Sequence, residues 1–583
     1  MGNEYDFIVV GGGTAGCAVA GRLAENPNVK VLVIEAGITN PGDIDAITTP
    51  ARAFELRDSK WDWAYKTTMI DRPEYTRVEK PNTRGKVLGG SSCLNYYTWI
   101  PGSAATFDEW AAYGGDEWTW DKCKAYLYKV GCLIRKACLF LSRRSDAHCF
   151  FTSRPPTTTI KSSSPPRSRT SARTDPSPSR TPDLIPEIRP FRKALTEAWV
   201  SKGQPLTADV HNGTMRGLWK AMNSIYDGKR SSSWLYLVGK SNVTVLGKTH
   251  SKNLIIENGH AVGVVVIRED GTEESYKAKA EVIISSGVFE VAQAPNAEVV
   301  DSPHCGQNLL DHPILPHVFR LKDGYGLDHH LLRAGLEKDA AVSAYRWKNT
   351  GPYTSGLLEL VGLPRIDDRL RGIPEYEAAK AANGGKDPFG PAGQPHFEID
   401  FVPMFSDAFQ WHIPTPPKGD YFTIIVDLLR PLSKTGTVTL NSTNALEQPK
   451  VNINFFAEDL DIVAMREGIR FVDDIIMNGD GMKDIIGEDY PWPMPRSSDE
   501  AMNKMILERS QTGFHPCGTA RMGKDIKHGV VDGKLRVYGI QNLRVIDASV
   551  IPVIPDCRIQ NSVYMIGEKG ADMIKADHPE LYG

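Results

Sequence analysis

Asp6-Phe7-Ile8-Val9-Val10-Gly11-Gly12-Gly13-Thr14-Ala15-Gly16 begins as a short β-branched run, passes directly into glycines and continues through small and apolar residues to Leu23. The pattern predicts strand, tight turn and helix. A second buried strand is predicted over Val29 to Ile34, ending in Glu35, which closes a βαβ unit of about thirty residues. The three glycines at GxGxxG spacing have separate tasks. Gly11 permits the turn, Gly13 lets the backbone approach a pyrophosphate, and Gly16 allows close packing of the helix. Thr14 and Ala15 open that helix, whose N-terminus attracts an anion. Glu35 stands nineteen residues after Gly16, where an acid accepts a ribose hydroxyl. Together these residues imply a bound dinucleotide, without separating NAD from FAD.

The rest of the chain is ordinary for a folded globular protein. At 583 residues it exceeds what one hydrophobic core usually serves, so two structural regions are expected. Lys plus Arg total 68 against 71 Asp plus Glu, a balance that gives no global attraction to nucleic acid or an anionic membrane. The nine cysteines (17, 93, 123, 132, 138, 149, 305, 517 and 557) are odd in number and lack a paired CxxC. They read as reduced thiols, and no metal site is expected. Phe7 to Val10 follows acids and is too short for a signal peptide, and no apolar stretch reaches membrane-spanning length; a cytoplasmic enzyme is expected. The residues leave a homodimer open.

Later strand-like runs at Val243 to Leu246, Leu254 to Glu257, Ala261 to Ile267 and Glu281 to Ile284 read as a return to the first region. Leu543 to Ile546, followed by a helical pattern from Ser562 to Lys575, reads the same way. A discontinuous Rossmann-like nucleotide domain is therefore expected over 1–110, 200–312 and 520–583. His396 to Val402, Tyr421 to Leu428 and Gly436 to Leu440 alternate polar and apolar residues, which predicts an antiparallel sheet with one covered face. That sheet would carry a substrate domain over 313–519. The overall class is α/β plus α+β. Residues 132–182 read as a low-complexity, disordered or aberrant insert, within which Thr152 to Pro182 is made of Ser, Thr, Pro and Arg repeats without an apolar face.

Arg84-Gly85-Lys86-Val87-Leu88-Gly89-Gly90-Ser91-Ser92-Cys93-Leu94-Asn95 offers consecutive glycines and hydroxyls, able to present backbone N–H groups to phosphate and to a flat ring. With Trp99 and Asp108, this segment resembles the flavin-binding signature of the glucose-methanol-choline oxidoreductases. The resemblance implies that Gly85, Leu88, Gly89, Gly90, Ser91 and Ser92 line FAD, with Asn95 near its reactive edge. Cys93 and Cys517 are read as buried fillers. The run from Gln511 through His515, Gly518 and Thr519 to Met522 continues the resemblance, as do Asp547 and Ala548. In the family such a His faces the flavin and the Asp-Ala pair contacts FAD, and Gln560 and Asn561 are placed at the cofactor with them.

Where most members of the family carry a second His or an Asn, this sequence has Arg558. An arginine is a poor base and a good partner for a carboxylate, so the substrate is expected to be an anion. A simple ion pair with an acid such as Asp556 is the plainer alternative. His515 with Arg558, together with Glu79 to Gly85, Ser355 to Val361, Phe409 to His412 and Pro555 to Asn561, resembles the formate-oxidising branch of the family. That resemblance implies oxidation of formate to carbon dioxide, with molecular oxygen reduced to hydrogen peroxide and FAD carried in an 8-formyl form. Arg558 would hold formate, and a protonated His515 would stabilise negative charge on the reduced flavin. Trp411 and His412 are candidates to line the substrate pocket.

Two stretches depart from the family pattern. Only Val291 to Cys305 separate Glu290 from the run Gly306 to Pro313, too little for the helix expected there, and 132–182 replaces a segment that the family folds over its site. Two further readings follow: a chain that binds FAD with impaired turnover, and an alcohol oxidase or dehydrogenase of the same family.

Overall fold

The computed structural model describes residues 3–129, 185–290, 302–406 and 413–583. The stretch 132–182, most of 291–305 and the candidates Trp411 and His412 lie outside them.

The βαβ reading holds. Glu4–Val10 forms a strand, Thr14–Leu23 a helix and Val31–Ile34 a second strand, with Phe7 to Val10 parallel to Val31 to Ile34. Val31–Ile34 is buried throughout, as a parallel strand covered on both faces must be. Val243–Leu246 extends the sheet beside it. On the other side lies Glu273–Ile284, whose far half pairs in parallel with Glu4–Val10 and, at Val282 to Ile284, with Leu543–Val545. Its near half turns back antiparallel through His260–Arg268 to Thr249–Glu257. Segments distant in sequence thus build one sheet, because parallel strands need long crossover connections.

Helix Thr14–Leu23 packs against helix Gln560–Asp577. The approach is close: a Cβ added at Gly567 would lie 3.0 Å from the Ala15 carbonyl oxygen and 3.0 Å from the Ala18 Cβ.

The second sheet is antiparallel throughout, in the order Ile486–Tyr490, Pro313–Leu321, Asp420–Leu428, Phe397–Val402, Leu360–Leu363 and Gly217–Lys220. Here the alternation misleads in one respect. Phe397–Val402 and Asp420–Leu428 are buried at every position, so the polar side of these strands does not face water. Phe397 meets Gly468 of helix Asp459–Asn478. Phe401 meets Trp199, and Phe422 meets Phe191, both on helix Arg189–Ser201. The opposite face carries Glu398, Asp400 and Asp427, with Glu398 and Asp427 directly paired in register. Like charges opposite one another destabilise a sheet, so this face needs a compensating cation. Among the described residues no helix is long and apolar enough to cross a membrane.

Candidate cofactor and substrate site

Between the two sheets lies a cavity of about 320 Å³. Of the predicted cofactor residues, Gly11, Gly13, Thr14, Ala15 and Glu35 line it from the first sheet. Gly85, Gly90, Ser91, Ser92 and Asn95 line it from the second motif, and Asp547, Ala548 and Gln560 from the C-terminal region. Gly16, Leu88, Gly89 and Asn561 lie off the wall. Gly16 is packed so tightly that a Cβ would sit 2.0 Å from the Gly11 carbonyl oxygen. Leu88 is buried, and its N–H donates to the Ile38 carbonyl at 2.8 Å. Gly89, at φ +96°, leaves 2.6 Å between an added Cβ and the Cys93 sulfur. Asn561 is buried in the first turn of its helix, and neither of its amide atoms has a hydrogen-bond partner among the described residues.

The glycine loop fits a dinucleotide. Gly11 is at φ +97°, and a Cβ there would lie 2.4 Å from the Ser285 carbonyl oxygen. At Gly13 the same construction meets nothing nearer than 3.8 Å, so its face is open to the cavity. No side chain caps the helix that begins at Thr14, which leaves its first N–H groups for an anion. Glu35 accepts the Gly12 N–H on one oxygen at 3.1 Å and the Gly37 N–H on the other at 2.8 Å. Its carboxylate lone pairs exceed these two donors, and burial pushes its pKa up to about 7. Asp547 accepts the Gly287 and Ser549 N–H groups, each at 2.8 Å, which pins the C-terminal segment to the end of the central strand.

Arg230, which the sequence reading missed, organises the second motif. It is buried and donates to the carbonyls of Ile47, Ser92 and Asn95, to the Asn95 side chain and to the Tyr97 hydroxyl. Asn95 in turn donates to Gln560. Nothing in the context Gly228-Lys229-Arg230-Ser231 marks it as more than a basic turn. Cys93 and Cys517 are fully buried, and burial raises both thiols, Cys93 to about 11; this is the filler role read for them.

His515 and Arg558 both reach the cavity wall. Behind His515 stands His312, from the quoted run Gly306 to Pro313; the two Nδ1 atoms are 3.0 Å apart. His312 Nε2 lies 3.1 Å from the Pro555 carbonyl oxygen. A carbonyl only accepts, so the network assigns the hydrogen to His312 Nε2, an acceptor to its Nδ1 and a hydrogen to His515 Nδ1. His515 Nε2 is then the open acceptor of the pair. Asp311 fixes the backbone here, accepting the His515 N–H at 2.9 Å and the His312 N–H at 2.7 Å.

Burial lowers the pKa of both imidazoles, His312 to about 3; for His515, His312 and Arg558 add to the effect of burial. Asp427 lies 3.9 Å from each ring without holding either as a cation. Burial, and then Glu398, push its own carboxyl well above the usual range. These surroundings favour the neutral form of His515, so the cationic role expected from the sequence calls for a proton gained later.

Arg558 does not pair with Asp556, which instead accepts the Ser103 N–H and the Thr106 hydroxyl. Its Nε donates to Glu398 at 2.6 Å and its Nη2 to Asp400. Both acids are almost fully buried and come from the polar face of the second sheet. Among the described residues no partner occupies Nη1. Arg558 is thus the cation that the sheet face requires, with one edge left toward the cavity.

Comparison with known proteins identifies the family. The GMC oxidoreductase N-terminal profile matches residues 5–314 and its C-terminal profile residues 431–567. A crystal structure of formate oxidase is 53% identical with a TM-score of 0.90, all of both chains being covered. A variant of formate oxidase from Aspergillus oryzae RIB40 is 52% identical over the whole of both chains, also with a TM-score of 0.90. An oxygen-dependent choline dehydrogenase of Pseudomonas fluorescens is 29% identical over 99% of this chain and 95% of its own length. The chain belongs to the GMC oxidoreductase family and is an FAD-dependent oxidoreductase.

Proposed function

We propose that the chain oxidises formate, with molecular oxygen as the acceptor. The observation that carries this reading is Arg558 on the cavity wall beside His515, with its Nη1 edge uncommitted. A guanidinium recognises a carboxylate through paired charge-assisted hydrogen bonds, and holding the substrate in one orientation can supply much of the acceleration. Choline, a cation, would meet the uncommitted edge of Arg558 and no free carboxylate here. The carboxylates that could have attracted it, Glu398 and Asp400, are already taken by Arg558. Bound FAD supplies the hydride acceptor and the route of electrons to oxygen.

The balanced reaction, formate plus oxygen plus one proton giving carbon dioxide and hydrogen peroxide, consumes a proton and abstracts none from a substrate hydroxyl. His515 suits that demand, because its neutral ring offers Nε2 as a place to hold the incoming proton. His312 is a positioning residue that keeps Nε2, and not Nδ1, as the open atom.

Oxygen consumption with peroxide formation should follow added formate, and not methanol, choline or aryl alcohols. Turnover of an alcohol with none of formate overturns the reading. Arg558→Lys keeps the charge near Glu398 and Asp400 but loses the planar fork. It should raise the KM for formate by about tenfold or more, the worth of about one charge-assisted hydrogen bond.

A further inference from the structure

Arg558 is a clamp already in use. Two carboxylates hold its Nε and Nη2, and a third, Asp427, is paired in register with Glu398 behind them. Glu398 Oε2, Asp400 Oδ1 and Asp427 Oδ1 are buried, and none has a hydrogen-bond partner among the described residues. Three almost fully buried acids therefore surround one cation. With the Asp427 carboxyl raised well above its ordinary range by burial and by Glu398, an anionic substrate brought to the same guanidinium would stand as a third negative group beside Glu398 and Asp400.

We propose that capture of a carboxylate by Arg558 is coupled to uptake of one proton by the Glu398–Asp400 pair, so that the enzyme binds formate with the stoichiometry of formic acid. This rests on the reading of Arg558 as the anion clamp. The proton goes from solvent onto a carboxylate oxygen of the pair; no other bond changes, and the site gains no net charge. The neighbouring groups agree. Asp427 is held largely protonated by burial and by Glu398, and so has little further capacity. His312 and His515 are held neutral by burial, with Arg558 among the causes for both. Asp311 is committed to the His312 and His515 N–H groups and to the Thr512 hydroxyl. Arg84 donates to the Phe514 carbonyl at 2.7 Å, and Arg430 pairs with Glu109 at 2.7 Å. Glu398 and Asp400 remain, each raised by burial above the ordinary carboxylate range.

The sign follows from linkage. An added anion raises the pKa of the pair further, so protons are bound on association, and affinity falls as pH rises above the pKa of the free site. Formate alone cannot show where the proton sits, because formic acid would give the same pH dependence. Nitrate can: it is planar, anionic and a negligible base, so any proton taken up with it must reside on the protein.

The experiment is titration of the FAD-loaded enzyme with sodium nitrate, followed by the flavin absorbance, between about pH 5 and about pH 9. The Kd should rise about tenfold per pH unit over part of this range, the signature of one proton. In Glu398→Gln, which keeps a polar group of the same shape but cannot ionise, that slope should vanish near neutral pH and binding should stay tight to higher pH. A wild-type Kd that does not change with pH overturns the proposal, whether or not formate is oxidised. So does a slope that persists unaltered in both Glu398→Gln and Asp400→Asn. Turnover of formate with pH-independent nitrate binding would leave the formate reading standing and remove only the coupling. If neither nitrate nor formate binds saturably, the clamp itself is refuted and the coupling with it.

Discussion

Replacing Gly13 by alanine separates the cofactor role of the glycine loop from its folding role. Gly13 has φ −81° and ψ −161°, which any residue adopts, and an added Cβ would meet nothing closer than the Ser285 carbonyl oxygen at 3.8 Å. The apoprotein should therefore keep its stability to within about 1 kcal/mol, with a small gain from the reduced freedom of the unfolded chain. The methyl group, however, would stand in the space where the backbone approaches the pyrophosphate. Overpacking of that kind costs about 1–3 kcal/mol, so FAD should bind about 5- to 150-fold more weakly. Gly16→Ala is the contrasting change. Its Cβ would lie 2.0 Å from the Gly11 carbonyl oxygen and 3.1 Å from the Ser285 side chain. Both neighbours belong to the framework of the sheet, so the damage should appear in the apoprotein itself as a lower melting temperature or loss of soluble protein. The assays are thermal melting of the apo form and titration of apoprotein with FAD. An unchanged FAD affinity in Gly13→Ala would falsify the placement of the pyrophosphate over this loop. A Gly16→Ala apoprotein melting like the wild type would show that the close contact with Gly11 can relax.

Other perturbations address the site and its support. His312→Leu removes the acceptor that keeps hydrogen on His515 Nδ1; kcat/KM for the oxidised substrate should fall about tenfold or more, the worth of about one hydrogen bond in the site. A variant with the wild-type rate and pH profile would refute the positioning role. Asp328 accepts the Phe405 and Tyr421 N–H groups, and burial raises its pKa to about 7. A raised carboxyl stabilises the fold below its unfolded pKa of about 4, and this contribution fades as pH climbs through about 7. Asp328→Asn should therefore flatten the decline of melting temperature between about pH 4 and about pH 7 relative to wild type, whatever it costs in lost acceptor strength. Parallel curves for the two proteins would show that Asp328 does not titrate there.

The dinucleotide half of the molecule was legible because its signals are local. Strand, glycine turn, helix, strand and terminal acid lie within one continuous stretch, and each residue type has one physical task there. The Gly85 to Asn95 segment, His515 and Arg558 were singled out through the resemblance that their motifs carry to a known family, and all three reach the cavity wall. What the sequence could not show was the partners that make those two residues chemically specific. His312 lies 203 positions from His515, and Glu398 lies 160 positions from Arg558. Only the register of Pro313–Leu321, Phe397–Val402 and Asp420–Leu428 brings these partners together.

The one misread pattern explains the chemistry that the motifs left open. Alternation in His396 to Val402 and Tyr421 to Leu428 looks like a half-solvated sheet, since water is the usual partner of a polar strand face. Here the partner is a single arginine from the C-terminal segment. A cation buried against a sheet face would need only one acid to balance it. Two contact it directly, and a third sits in register behind them. That excess of acid is costly in a dry interior unless protons are shared, and it is the feature that separates this clamp from a purely structural ion pair. A structural pair is best served by equal charges and fixed geometry, whereas an acid-rich pair beside a cavity is poised to exchange one proton for one anion.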